Sequence, residues 1–304
     1  MQEEMFKNEA RTEWNEARRK AFLSRLSSYV TRRDVRLRDF EDISRQLKLR
    51  NPRYKGVEEI PLDKIVGSVG RYNDFVSHFL PVTPQMEERW QRIARLYLDP
   101  ASGGVPPIEV YRVGDSYFVK DGNHRVSVCK QLNTATIDAV VWEYPVPVSG
   151  SSDHLDIDTL LIEAEKLDFF SFTQLDESNP DHEIAVTLPG GYRELLHQVV
   201  HYREILEEID EEEKTIEAAA DAWYAMMYEP ALQIIEREGV LRQFPDRTPT
   251  DLFIWTRMEY DRLEQRYGHR IRLTQAVHAV EVKRRNPLFR LWDSTKSILG
   301  RVSD

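Results

Sequence analysis

The chain has 304 residues, 31% of them charged and 41% hydrophobic, with a single cysteine, Cys129. One thiol excludes an intramolecular disulfide framework and a structural zinc site built mainly on thiolates; the length suits one to three domains, two fitting best, with a core that needs no such staple. A net charge of −10 argues against strong sequence-independent nucleic-acid binding, because the average field repels phosphate.

Residues 9–49 carry helical spacing. Phe22, Leu26, Tyr29 and Val30 share one face, and Leu37, Phe40, Ile43 and Leu47 recur at three- and four-residue steps. Asn51-Pro52 ends that pattern, since a residue before proline is pushed out of the α region. Pro61-Leu62 opens a short helical turn, and Thr83-Pro84 supplies an N-cap with proline at the first helical position. Met86, Trp90, Ile93 and Leu96 then form a helix stripe. The runs Ile108–Val113 and Ser116–Lys120 flank Gly114-Asp115 and predict a β-hairpin. A helix is expected over His124–Leu132 and a strand over Thr136–Trp142. After the linker Ser149-Gly150-Ser151-Ser152, helices are expected over Ile157–Leu167, Tyr192–Ile209, Ile216–Glu238, Pro249–Tyr267, Leu273–Arg284 and Leu288–Leu299. The reading is an N-terminal helical segment (1–56), an α+β domain (57–146) and a mostly α-helical domain (151–304).

Charge is segregated along this order. Residues 32–55 hold nine Lys or Arg against four acids, and residues 151–220 hold nineteen acids against four bases. The C-terminal end turns basic again with Lys283, Arg284, Arg285, Arg290, Lys296 and Arg301. Solvated helix faces explain such stretches, and anion-facing patches are the alternative. The opening MQEEMFKNEARTEW lacks the apolar core of a secretory leader, and no run approaches the roughly 18 apolar residues of a membrane span. Together with the lone thiol this points to a reducing, cytoplasmic setting without membrane contact.

The segment from Phe118 to Val128, FVKDGNHRVSV, holds the one motif that bears chemistry. A strand, a turn at Asp121-Gly122 and a helix start carrying Asn123, His124 and Arg125 place backbone N–H groups where the helix dipole favours an anion. Gly122 admits close approach of a phosphate, and His124 and Arg125 add charge and directional donors. Asp121 is placed to hold a metal or to orient His124. An ordinary strand-to-helix turn with Asn123 as N-cap is the alternative. A second glycine-bearing loop, Gly67-Ser68-Val69-Gly70-Arg71, offers a phosphate a hydroxyl and a guanidinium through Ser68 and Arg71, a plain loop being the simpler reading.

From Ile60 to Glu143 the chain resembles a ParB/sulfiredoxin-like domain. The stretches that carry the likeness are IPLDKI, PPIEVYRV, SYFVKDGNHR, VSVCKQL and IDAVVWEY. In that superfamily the corresponding loop, GERR in ParB proteins, DGHHR in free-serine kinases and GGCHR in sulfiredoxins, binds nucleotide phosphates. The resemblance implies that Asp121, Gly122, Asn123, His124 and Arg125 line a phosphate site, with Asp121 and His124 as the groups for catalysis and a nucleoside triphosphate with Mg2+ as the ligand. The loop is most similar to that of the serine kinases, which also use an acidic residue from an earlier helix as base; Asp63 and Glu109 are the available carboxylates. Asn123 stands where sulfiredoxins have their reactive cysteine, which removes that reaction, and where ParB proteins have glutamate. Cys129 reads as a packed small residue. The C-terminal half resembles the helical tails attached to such domains in other bacterial proteins.

His197 and His201 have metal-chelating spacing but lack the glutamate of a zinc-peptidase helix; surface histidines are the simpler reading. Trp223, Tyr224, Tyr228, Phe253, Trp255 and Tyr260 read as helix-packing core and not as a base-stacking platform. Three functions fit: a nucleotide-binding module, either inert or acting as a hydrolase or small-molecule kinase; a DNA-binding or partitioning-type regulator using the basic flanks; or a scaffold. A protein partner or a second copy would dock through the helical C-terminal domain.

Overall fold

The structure, a computed structural model, describes residues 2–31, 37–70, 74–146, 155–267 and 272–285. Arg32, Arg33, Arg36, Arg71, the 149–152 linker and the helix expected at 288–299 lie outside the described residues. The chain divides into two units, 1–160 and 161–304.

In the first unit, α1 (Gln2–Thr31) is followed by β1 (Arg38–Asp39), α2 (Phe40–Gln46), β2 (Arg53–Pro61), β3 (Ile65–Ser68), β4 (Phe75–Val76), β5 (Leu80–Pro81), α3 (Glu87–Leu98), β6 (Ile108–Val113), β7 (Ser116–Asp121), α4 (Asn123–Gln131) and β8 (Thr136–Tyr144). Six strands form one sheet in the order β1-β3-β7-β6-β8-β2. The β6–β7 hairpin turns where Gly114-Asp115 predicts it, with Val113 opposite Ser116. β3 runs parallel to β7 and β8 parallel to β6, so the sheet is mixed. With its helical flanks this is the expected α+β class.

Alternation along the strands sorts the two faces. Ile108, Val110, Val119, Ala139 and Val141 join Ala10, Trp14, Trp90, Val126 and Val128 in one buried cluster, so α1, α3 and α4 contribute to the same core as the sheet. Trp14 and Trp90 meet at 5.6 Å. Tyr111, Phe118 and Tyr144 alternate with that set and surround Phe40 of α2 at 4.7, 5.5 and 5.4 Å.

The expected single helical stretch over 9–49 is interrupted. Asp39 pairs with Ser68 in the sheet and then caps α2, its side chain accepting from the Glu41 amide at 3.2 Å. The buried stripe of α1 is Ala10, Trp14, Ala17 and Ala21, while Phe22 is 66% exposed. Small residues let α1 lie close to its neighbours, so the larger side chain is left outside the contact.

The second unit is helical: α5 (Ile157–Thr173), which spans the division, then α6 (Leu175–Ser178), α7 (Gly191–Asp210), α8 (Ile216–Trp223), α9 (Glu229–Arg237), α10 (Pro249–Tyr267) and α11 (Leu273–Arg285). A five-residue π-helix, Tyr224–Tyr228, joins α8 to α9. Pro230, two residues on, cannot donate a backbone bond, so local rewinding of the preceding turn is the expected response. Trp223, Tyr228 and Phe253 are buried in this core, as the sequence predicts, with Trp223 and Tyr228 stacked at 5.3 Å. Asp251 accepts from Thr187 and from the Thr248 amide at 3.0 Å while Thr248 Oγ1 accepts from the Asp251 amide, a reciprocal cap on α10. At α8 the cap is simpler: Thr215 Oγ1 accepts from the Ala218 amide at 3.2 Å. Thr215→Ala should cost about 1 kcal/mol in denaturant unfolding, whereas Thr215→Ser should be close to neutral.

Among the described residues, no helix is long and apolar enough to cross a membrane.

Candidate functional site

The parallel pair β3–β7 places Ser68 beside Val119, so both strands end at one side of the sheet and their following loops start there together. Close approach is built in at Gly67, where a Cβ would lie 2.4 Å from the Arg38 carbonyl oxygen and 2.6 Å from the Phe118 ring. The loop after β7 is Gly122, at φ +111°, and a Cβ there would meet Ile108 at 2.5 Å. Only glycine satisfies both conditions.

Gly122, and not Asn123, is the N-cap of α4. The first intrahelical bond runs from the Val126 amide to the Gly122 carbonyl at 3.0 Å. The amides of Asn123 and Arg125 precede it, where a helix offers no internal acceptor. Asn123 is buried at 6% exposure, and among the described residues its Oδ1 has no hydrogen-bond partner.

Arg125 is committed within the protein. One guanidinium nitrogen donates to the carbonyls of Pro106 and Pro107, both at 2.6 Å, and the other pairs with Asp121 at 2.5 Å. This ties the segment before β6 to the end of β7 and fixes the mouth of the loop. His124 turns inward, 7% exposed, its ring edge-on to Phe75 at 5.6 Å. The cause is the placement of α4, seven of whose nine residues are buried. Further along the same helix, Ser127 accepts from the Trp90 indole at 2.9 Å. Ser68 is fully buried and its hydroxyl donates to the Val119 carbonyl at 3.2 Å, so it supports the β3–β7 junction from within.

The two candidate bases separate. Glu109 sits opposite Asp121 in the β6–β7 ladder and pairs with Lys120 at 2.6 Å, next to the loop. Asp63 belongs to the turn ahead of β3 and lines a groove with Lys130, toward the other end of α4. Cys129 is buried, and burial pushes its thiol above the usual range, so it stays protonated and inert. His197 and His201 are exposed on α7, His201 lying 3.3 Å from Glu204. Among the described residues no group of three or more His, Cys, Asp or Glu is arranged to hold a metal.

Sequence reasoning finds the loop and misses its anchors. The carbonyls of Pro106 and Pro107 carry no side-chain signal, and the burial of Asn123 follows only from where α4 packs.

No protein-family model matches the chain. No curated protein sequence matches it. Among solved structures it is similar to a Pnob8-like ParB-N domain, 11% identical over 70% of this chain and 83% of that chain, with a TM-score of 0.20. A superposition at that level carries no weight for the fold or the site.

Proposed function

We propose that the first unit is a nucleotide-binding module of ParB-like type in which the loop Asp121–Arg125 receives phosphate groups. The observation that carries this reading is the junction at Gly122: a left-handed glycine with no room for a Cβ, opening a nine-residue helix beside the end of a parallel neighbouring strand. The first-turn amides, which a helix leaves without internal acceptors, and the positive end of the α4 dipole suit an anion. The unpartnered Asn123 Oδ1 suits a hydroxyl donor, which a nucleotide sugar provides. Mg2+ arriving with the nucleotide would neutralise phosphate charge, and Asp121, 66% exposed, is the carboxylate at the loop that could face it. Binding is proposed without chemistry at Asp121, which is engaged by Arg125, or at His124, which packs on Phe75.

The DNA-binding alternative rests on an open groove of about 360 Å3 lined by Lys48, Arg50 and Arg53. Among the described cations of residues 32–55, Arg38 pairs with Asp158, Arg45 with Asp42 and Lys55 with Glu143. The nucleotide reading is therefore preferred.

A thermal-shift panel of ATP, CTP, GTP and ADP, with and without Mg2+, tests the proposal. At least one nucleotide should stabilise the chain in a saturable way, by about 2.7 kcal/mol at a hundredfold excess over Kd. Arg125→Ala, which frees the Pro106–Pro107 segment, should abolish the shift. A flat response to every nucleotide would leave the scaffold reading standing.

A further inference from the structure

A second groove, of about 580 Å3, lies at the far end of α4 from Gly122. It is lined by Lys20 of α1, Asp63 of the turn before β3, His78 between β4 and β5, Lys130 of α4 and the Asn133-Thr134 turn. Lys130 is its unusual member. Its ammonium donates to the Ile65 carbonyl at 3.0 Å and sits 5.2 Å above the Phe79 ring. Among the described residues no carboxylate pairs with it, and Asp63 acts only at longer range. A half-buried ammonium held by one neutral acceptor and a ring face is an under-compensated cation.

The backbone around it is shaped for this arrangement at a cost. His78 and Phe79 are consecutive non-glycine residues with φ of +64° and +59°. Such conformations persist only where surrounding structure enforces them, and they cluster at functional sites. Here the buried Phe79 ring, packed on Phe75 at 6.0 Å, holds the turn, so that His78 is exposed at the groove. Lys20 pairs with Glu16 at 2.9 Å and donates to Gln131 Oε1 at 3.3 Å, which brings a second ammonium to the rim.

We propose that this groove is a binding site for a small oxyanion, a carboxylate or a phosphate group, with Lys130 as its central cation and Lys20 and His78 at its rim. The open volume admits a small organic anion and not merely an ion. Burial depresses Lys130 to about 8, opposed by Asp63, and an anion in the groove would complete its charge and reverse that depression. The site is separate from the loop at Gly122 and does not depend on what that loop binds.

Sodium acetate and inorganic phosphate, each titrated at constant ionic strength against chloride, provide the probes. The readouts are thermal stability and the NMR titration midpoint of Lys130 in lysine-labelled full-length chain. Saturable stabilisation by either anion, with a Lys130 midpoint raised by a unit or more and both effects lost in Lys130→Met, supports the site. The stronger of the two anions then distinguishes a phosphate from a carboxylate ligand. Lys20→Gln should weaken the response severalfold and serves as a second variant away from the core. Stabilisation that persists unchanged in Lys130→Met would place the anion elsewhere and overturn the proposal, as would a Lys130 midpoint indifferent to both anions.

Discussion

Gly122→Ala should destabilise the first unit by about 2–6 kcal/mol and remove nucleotide binding with it. Two costs combine. A non-glycine residue held at φ +111° carries backbone strain of about 1–3 kcal/mol. The new methyl would also lie 2.5 Å from Ile108 Cγ2 and 2.9 Å from its Cβ, and overpacking of this kind costs about 1–3 kcal/mol. Ile108 is fully buried in the same core as α4, so it has little room to yield. Urea unfolding followed through the buried tryptophans Trp14 and Trp90 measures the loss. The steric part can be isolated with Ile108→Ala: on the Gly122→Ala background it should cost less than on the wild type, by more than about 1 kcal/mol. Additivity of the two substitutions would show that the contact does not limit position 122.

The second large effect has the opposite sign. Lys130→Met should raise stability at pH 7, because the ammonium is kept charged in a half-buried place where no carboxylate among the described residues pairs with it. Burial lowers its pKa from 10.5 to about 8, and a drop of that size corresponds to about 3 kcal/mol. In the unfolded chain the group keeps its proton up to about 10.5, while in the folded chain it releases it near 8. The unfolded state thus binds more protons between those values, and stability from this group rises with pH across the window. Below pH 8 the whole penalty is present. Methionine removes it but also forfeits the Ile65 carbonyl bond and the contact with Phe79, so the net gain at pH 7 should be about 1–3 kcal/mol. The advantage of the variant should shrink as pH rises from 8 and be lost near 10.5, where only the forfeited Ile65 bond and Phe79 contact separate the two chains. Denaturation at pH 7, 9 and 10.5 measures this; a variant that is less stable at pH 7, or a gap that does not change with pH, would contradict the assignment.

Much of the first unit is legible from local chemistry. The hairpin around Gly114-Asp115, the strand from Thr136 and the turn at Asp121-Gly122 each combine β-rich runs with a punctuating residue, and all three form where that pattern puts them. β2 is not legible. Its sequence, RYKGVEEIP, is mostly exposed and has no clean alternation, because it is an edge strand whose pairing with β8 spans the whole domain. β1, β4 and β5 are two residues long, too short for any period to show. Helix α1 is visible as a helix, but its buried face is made of alanines around Trp14, which hydrophobic spacing undervalues against Phe22.

The loop was similarly half legible. Asp-Gly between a strand and a helix marks the junction, yet the orientation of each side chain is a tertiary matter. His124 faces inward because α4 is packed on several sides, and Arg125 is spoken for by carbonyls some eighteen residues upstream. Lys130 carries no sequence signal; one lysine near the end of a short helix reads as a solvated tip until Phe79 and Ile65 close around it.

The most direct test of nucleotide binding at the Gly122 junction is calorimetric titration of Mg2+-nucleotides into the full chain and into Asn123→Asp. That substitution keeps side-chain shape and suits a helix N-terminus, but it adds a negative charge beside the amides that would receive the phosphates. Saturable binding to the wild type, weakened at least tenfold in a folded Asn123→Asp chain, is the result expected. Equal affinity in both chains, or no binding of any nucleotide to the wild type, would contradict it.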